Sequence, residues 1–542
     1  MSDPTGKKPR SLFLPLVFAL VLSFGIYIGT RLQSSGGGGS SLFSFEPSGF
    51  DKINDIITYI EQEYVDTVDR TKLTDLSIEK LLQSLDPHSS YITASDLTSA
   101  NEPLEGNFEG IGVEFHIQDD TIMVVSAISG GPSENVGIRS GDRIVMVDDT
   151  IVAGIGITNN QVMQKLRGAG GSKVRVKIYR RSAGRLMDFT ITRGKIPIYS
   201  LEASFMVDSH TGYFRISRFA ATTYDEFMEA ARKLKAKGMK NIIIDVRGNP
   251  GGYLDAATRL ADEFISDGKS IVYTEGKSRP RTDYNATSGG MFESYRVVVI
   301  IDEGSASASE ILAGALQDWD RGTIIGRRSF GKGLVQEQTV LPDGSAIRLT
   351  IARYFTPTGR SIQKPYDKGT DAYNQELGTR MEHNELLTAD SIQFPDSLKY
   401  KTPAGKTVYG GGGIMPDIFI PIDTTDSKNT FLITALSAGS ITDFAYKYVD
   451  RERGNLQKFK NAEAFIRGFV ITDAVYREFV QSVPSTTPGF PNPAEVGSAA
   501  KYLKNQIKAQ ISRQLFRGDG FYPIWLQLDP AYIKAVEEIS RR

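Results

Sequence analysis

A chain of 542 residues exceeds what a single hydrophobic core serves and points to three or four domains. Lys and Arg number 63 against 64 Asp and Glu, a net charge of −1, so no whole-chain electrostatic case for nucleic-acid binding exists. Cysteine is absent, which excludes disulfides, thiolate catalysis and cysteine-ligated zinc. After a short tail, 1–10, that carries Lys7, Lys8 and Arg10, residues 11–30 are uncharged. As a helix they would run about 30 Å, enough to span a bilayer. The positive flank predicts a cytoplasmic amino terminus and an extracytoplasmic body. The alternative is a cleaved signal peptide, but the run is long for one and no A-x-A-like site ends it. A lipoprotein is excluded, because there is no cysteine to acylate. Residues 31–48, with SSGGGGSS at 34–41, read as a flexible tether.

Residues 49–103 carry a helical pattern. Ile53, Ile56, Ile57, Ile60 and Tyr64 recur at 3.6 spacing, and a second helix with Leu76, Ile78, Leu81, Leu82 and Leu85 is stopped by Asp86-Pro87. Residues 104–197 are β-rich, with strands expected at 111–117, 122–127, 143–147, 174–179 and 187–192 and one helix at 159–167. This order resembles a PDZ domain, with GIRSGD at 137–142 similar to its internal turn. The resemblance implies that Gly110, Ile111 and Gly112 form a carboxylate-binding loop, whose N–H groups hold a peptide terminus while the peptide adds as a strand. The plainer reading is that these glycines only turn the chain.

From 198 to 425 strands and helices alternate, the mark of an α/β core. A buried strand at 241–246 runs into DVRGNPGG, 245–252. Two glycines between strand and helix suit a phosphate loop, but the GKS/T ending is missing. A second β-branched run, 297–301, is followed by the turn Asp302-Glu303-Gly304 and by serines at 305, 307 and 309, then by a helix-period run of Ile311, Leu312, Ala315 and Leu316. A serine at a strand-to-helix turn sits where backbone N–H groups converge, as an acyl-transfer nucleophile requires. None of the four histidines (His88, His116, His210, His383) lies here. Lys332, between Gly331 and Gly333, is therefore the better candidate base, since Ser-Lys pairs are an established variant of the triad. A lysine with a pKa of roughly 10.4 is almost wholly protonated near pH 7, and burial can lower it by 3–5 units. Alone, a Ser/Ala run opens many helices and a G-K-G is a loop. Two further segments follow, YFTPTGRSIQ at 354–363 and GIMPDI at 413–418, separated by a polar stretch, 364–407, that reads as an insertion or mobile loop. Residues 426–542 are mostly helix-period sequence interrupted by a Pro/Ser/Gly-rich linker at 483–497.

GSASASEI at 304–311 and GKGLVQ at 331–336 together resemble the carboxy-terminal processing peptidases, also called tail-specific proteases. The likeness extends over roughly 49–426, including SLDPHSSYI at 84–92 and both later segments. It implies a multidomain α/β and β protein, with a crotonase-like α/β serine peptidase core at 198–425, a PDZ domain upstream and helical flanking segments. It places the nucleophile on Ser307, the general base on Lys332 and the residue orienting the lysine on Gln336. DVRGNPGG looks like the oxyanion loop, with Gly251 or Gly252 joining the N–H of Ala308. His88 lies outside those motifs and reads as structural. The implied reaction is endopeptidase hydrolysis with no metal or organic cofactor. The implied partners are polypeptides with exposed carboxy-terminal tails, on the periplasmic side of a bacterial inner membrane that the amino-terminal helix would hold. The carboxy-terminal helices would pack on the core or join copies into a homo-oligomer. Two alternatives stand beside this reading. A tethered peptide-binding protein with a silent core would be expected to lack the serine or the lysine. A penicillin-interacting Ser-Lys enzyme would carry lysine at 310, where Glu310 stands.

Overall fold

The computed structural model describes residues 52–541 apart from 129, 182, 425–426 and 485–489, together with residues 19, 21 and 23. The expected membrane span at 11–30 lies, but for those three positions, outside the described residues, as does the tether. No helix of the described residues is long and apolar enough to cross a membrane. The chain divides into a small unit ending at Ser77 and a large one, Ile78–Arg542. In the small unit the helix Lys52–Glu63 buries Ile57 and leaves Ile53 and Ile56 exposed. Arg70 is tied to it through Glu61 at 2.7 Å and Asn54 at 2.6 Å.

The large unit is built on a six-stranded sheet in the order Leu201–Met206, Thr211–Ile216, Asn241–Asp245, Arg296–Ile301, Thr323–Gly326, Ile418–Phe419. Only the first pair is antiparallel. A parallel sheet is covered on both faces, so its strands read as unbroken apolar runs, and successive residues serve opposite cores. Ile242, Ile244, Val297, Val299 and Ile301 pack with the helices Thr223–Ala236, Leu254–Asp262 and Ala308–Asp318. Ile243, Val298 and Ile300 pack instead under the terminal helix Pro530–Ser540, against Ala531, Ala535 and Ile539. A second, antiparallel sheet joins Ser90–Ile92, Ala346–Phe355, Ser270–Gly276 and Arg279–Asn285, and Leu334–Val340 pairs with Ala346–Phe355.

The β-rich unit has its own sheet, in the order Val113–Gln118, Thr121–Ala127, Arg143–Val147, Lys173–Arg180, Arg185–Thr192, with the helix Asn159–Leu166 beside it. Ile122, Val124, Ile144, Val174, Val176 and Ile178 fill its separate core. Beyond residue 429 the helices Thr430–Ser437, Ser440–Leu456, Ala462–Gly468, Asp473–Ser482 and Pro493–Trp525 enclose another core.

The stretch after residue 364 differs from the loop its polarity suggests. It holds the helix Thr370–Glu382 and the strand pair Lys399–Lys401 and Thr407–Tyr409. Most of its charges are exposed, but a few are buried and paired. Lys364 and Arg380 are only 3% and 2% exposed, and both bind Glu376, at 3.1 and 2.5 Å.

Candidate active site

The strand Arg296–Ile301 and the helix Ala308–Asp318 are joined by a sharp elbow, with Ser307 at its apex in a backbone conformation (φ 55°, ψ −114°) that L residues rarely adopt. The three alternate serines have different duties. Ser305 and Ser309 are fully buried, and their hydroxyls donate to the carbonyls of Val246 (2.8 Å) and Asn249 (3.1 Å). They lash the elbow to the DVRGNPGG loop, helped by the Ala306 N–H on the Asn249 carbonyl at 2.9 Å. Ser307 alone of the three is partly exposed.

Glu310, one turn into the helix and 1% exposed, joins the elbow to the lysine loop. One of its oxygens accepts the N–H groups of Ser307 (2.8 Å) and Lys332 (2.9 Å), and the other accepts the Gly331 N–H (2.7 Å) and the Ser329 hydroxyl (2.5 Å). The backbones of Ser307 and Lys332 are thus one carboxylate oxygen apart. Burial pushes the Glu310 carboxyl above its usual range despite these four bonds. The buried Tyr354 hydroxyl lies between the same two residues, 2.7 Å from the Lys332 carbonyl and 3.1 Å from that of Ser307. Lys332 Nζ donates to Gln336 Oε1 at 3.0 Å. Burial holds the Lys332 amine below the usual lysine range, with Arg348 acting in the same sense and the Glu310 and Asp86 carboxylates opposing it. Among the described residues no hydrogen bond joins Lys332 Nζ to Ser307 Oγ.

The Gln336 amide nitrogen donates to the backbone carbonyl of His88, so its oxygen is turned to the lysine. The His88 backbone is set in turn by Asp86, whose carboxylate accepts the N–H groups of His88 and Ser89 at 2.8 Å each. The imidazole meets the Tyr373 hydroxyl at 2.7 Å. Burial first, and then the Lys332 charge, push the imidazole down to about 4, so it is neutral near pH 7.

Gly251 packs directly on the elbow. A Cβ there would lie 2.7 Å from Ser307 Cβ and 2.8 Å from the Ala306 carbonyl oxygen, and φ is 98°. Only glycine meets both demands. The structure separates the two candidate glycines: the Gly251 N–H donates to Asn249 Oδ1 at 2.8 Å, whereas those of Gly252 and Ala308 meet no acceptor among the described residues. From behind, the buried Asp245 takes Arg247 and Arg215 at 2.6 Å each, and Arg247 reaches Asp529, the N-cap of the terminal helix, at 2.8 Å.

Gly110, Ile111 and Gly112 belong to the separate β-rich unit and share no hydrogen bond with the residues above among the described residues. Gly112 has φ 74° and Ile111 is 2% exposed. They edge a cavity of about 110 Å³ whose lining includes Phe108, Phe115, Met163 and Leu166.

The sequence alone does not place Glu310, Tyr354 or His88 in the site. Glu310 had a signal, since Ser-x-x-Glu at a helix start is the capping-box pattern. Tyr354 and His88 act through a hydroxyl and a main-chain carbonyl brought in from other elements, which no local pattern marks.

Peptidase family S41 matches residues 210–371, a PDZ domain matches 110–192, and a family of unknown function matches 431–518. The carboxy-terminal processing protease CtpB of Bacillus subtilis (strain 168) is 37% identical over 352 residues, 64% of this chain and 71% of that protein. The carboxy-terminal-processing protease of Bartonella bacilliformis (strain ATCC 35685 / KC583 / Herrer 020/F12,63) is 33% identical over 400 residues, 73% of this chain and 89% of that protein. A solved photosystem II D1 C-terminal processing protease is 26% identical, with a TM-score of 0.36, covering 70% of this chain and 88% of its own. Mixed α/β architecture with S41 and PDZ domains makes this a serine-type peptidase carrying a PDZ domain. The chain belongs to peptidase family S41, among the carboxy-terminal processing proteases.

Proposed function

We propose that the protein is a membrane-anchored endopeptidase that takes polypeptide tails through its PDZ domain and cuts them by a Ser-Lys mechanism in a crotonase-like core. The observation that carries this reading is the single Glu310 oxygen shared by the N–H groups of Ser307 and Lys332. A neutral Lys332 has two N–H bonds and one lone pair. One N–H is spent on Gln336, so the lone pair can accept the Ser307 proton once the side chains turn together. Ser307 Oγ then attacks the scissile carbonyl, and the negative charge on its oxygen meets the N–H groups of Ala308 and Gly252. The Lys332 ammonium returns its proton to the leaving amine as the C–N bond breaks. Water, deprotonated by the same lysine, attacks the ester, and the ammonium returns that proton to Ser307 Oγ as the C–O bond breaks and the acid product leaves. Because only the neutral lysine works, the rate rises with pH, along a limb below the ordinary lysine range.

The PDZ loop at Gly110, Ile111 and Gly112 is the proposed seat of the substrate carboxylate. The uncharged run 11–30 is the proposed anchor, with the body on the periplasmic side. The test is β-casein cleavage by the full chain in detergent beside Ser307→Ala and Lys332→Ala, with fragment ends mapped by mass spectrometry. Turnover by the wild type alone is expected. Three proteins of equal activity would remove the Ser-Lys assignment and leave a tethered peptide-binding protein. Release of a chain lacking 11–30 from membranes, with the full chain retained, tests the anchor.

A further inference from the structure

The lysine loop is irregular, so its polar backbone groups need partners from elsewhere. The N–H side is served by the core. The Ser329 and Phe330 N–H groups donate to the carbonyls of Ile414 (3.1 Å) and Ser305 (3.0 Å), those of Gly331 and Lys332 to Glu310, and that of Gly333 to Gln363 Oε1 at 2.8 Å. The carbonyls that lead into Gly331 are served by one side chain of the inserted helix Thr370–Glu382. Arg380 donates to three consecutive carbonyls, Arg328 at 3.4 Å, Ser329 at 2.8 Å and Phe330 at 3.2 Å. Its remaining Nε goes to Glu376 at 2.5 Å. A planar guanidinium with several donors and no acceptor suits such a row of oxygens. At 2% exposure its charge is costly unless every donor is used.

The same helix reaches the lysine by a second route. Tyr373 holds the His88 ring at 2.7 Å, and the His88 carbonyl holds the Gln336 amide that meets Lys332 Nζ. Lys364, buried between the rings of Phe330 and Tyr373 at 4.1 Å from each centroid, fastens the helix to the loop and is neutralised by Glu376.

We propose that the inserted helix Thr370–Glu382 positions the general base, with Arg380 fixing the backbone before Lys332 and Tyr373, through His88, fixing Gln336. Arg380 and Tyr373 are positioning residues and touch no substrate atom. The proposal rests on the Ser-Lys reading above, and the test separates the two. Among the described residues, four charged or titratable side chains act on the Lys332 amine: Glu310 from the elbow helix, Asp86 and His88 from the segment before Ser90, and Arg348 from the neighbouring strand. Arg380→Gln and Tyr373→Phe leave all four in place. They loosen the loop, admit water to the amine and bring its proton affinity back towards that of a free lysine.

The test is the rate at which the full-length protein is labelled on Ser307 by a fluorophosphonate, measured against pH. The kcat and KM for β-casein and the melting temperature are measured alongside. Arg380→Gln is expected to melt at a lower temperature and, assayed well below that transition, to lower labelling and kcat at least tenfold with KM nearly unchanged and the acid limb moved to higher pH. Arg380→Lys should recover part of the loss. Tyr373→Phe should lose threefold or more, with the limb moved the same way. Wild-type rates and an unmoved limb in both variants overturn the proposal, as does a loss that follows melting temperature alone. If Arg380→Gln does not fold, Tyr373→Phe decides by the same criteria. Lys332→Ala labelled at the wild-type rate would sink the Ser-Lys reading and the positioning with it. An inert Lys332→Ala beside two normal insert variants would sink the positioning alone.

Discussion

Ser307 pays for its exposure with backbone strain, since φ 55° with ψ −114° is a conformation glycine tolerates and other residues resist. Replacing it by alanine removes the hydroxyl and keeps the strain, whereas glycine removes both. Ser307→Gly is therefore expected to be about 1 kcal/mol more stable than Ser307→Ala in denaturant melts, with neither active. Equal stabilities would mean that the elbow imposes no strain. His88 offers a second test at this scale. Its folded pKa, near 4, lies below the ordinary 6.5, so the stability it confers is whole above 6.5 and is lost as pH falls towards 4. By linkage the loss approaches about 3 kcal/mol. His88→Gln removes this titration, and its melting temperature should fall less between pH 6.5 and 4 than that of the wild type. Parallel curves would place His88 in a solvated setting.

At the scale of elements, the site is a meeting of three segments, the elbow, the lysine loop and DVRGNPGG, on one buried carboxylate and a set of carbonyls. Gly251 sets the closest approach between two of them. Gly251→Ala puts a methyl 2.7 Å from Ser307 Cβ and 2.8 Å from the Ala306 carbonyl, at a φ of 98° that alanine resists. We expect it to fold less stably by about 2 kcal/mol, from backbone strain and overpacking. We also expect it to cleave β-casein at least 100-fold more slowly, the usual range for a lost oxyanion donor, because a loop pushed off the elbow carries the proposed donor Gly252 with it. An alanine variant with normal turnover would show that the loop is free to move away from the elbow.

On the scale of the whole molecule, the carboxy-terminal helices face two ways. Asp529 clasps Arg247 beneath the DVRGNPGG loop, while Asp450, with its side chain 8% exposed, takes Arg143 at 2.9 Å and Arg181 at 3.0 Å from the PDZ domain. Arg453 adds a bond to Ser140 at 2.9 Å, and Tyr446 stacks on His116 with centroids 4.3 Å apart. Removing one partner of such a cluster strands the other charges, so Asp450→Ala should release the PDZ domain from this dock. Faster hydrogen exchange is expected in 139–143 and 443–453, with no change in the buried strand Arg296–Ile301. Identical exchange in both proteins would show that these ion pairs do not hold the PDZ domain.

Much of this architecture is legible in the sequence. The strands at 143–147 and 297–301, the elbow around Ser307 and the glycine-flanked Lys332 are local patterns, set by burial on both faces of a sheet and by the few residues that tolerate tight turns. The sequence by itself determined these elements, the membership of the α/β class and the types of residue available for chemistry. Only the tertiary structure decided which groups meet. Glu310 became the link between Ser307 and Lys332, the Gly251 N–H was taken by Asn249, and the polar stretch after 364 became a helix that buries Tyr373 and Arg380 against the lysine loop. The physical reason is that charges and carbonyls are paired across elements distant in the chain, and a paired buried arginine leaves the same polar signature in sequence as one dissolved in water.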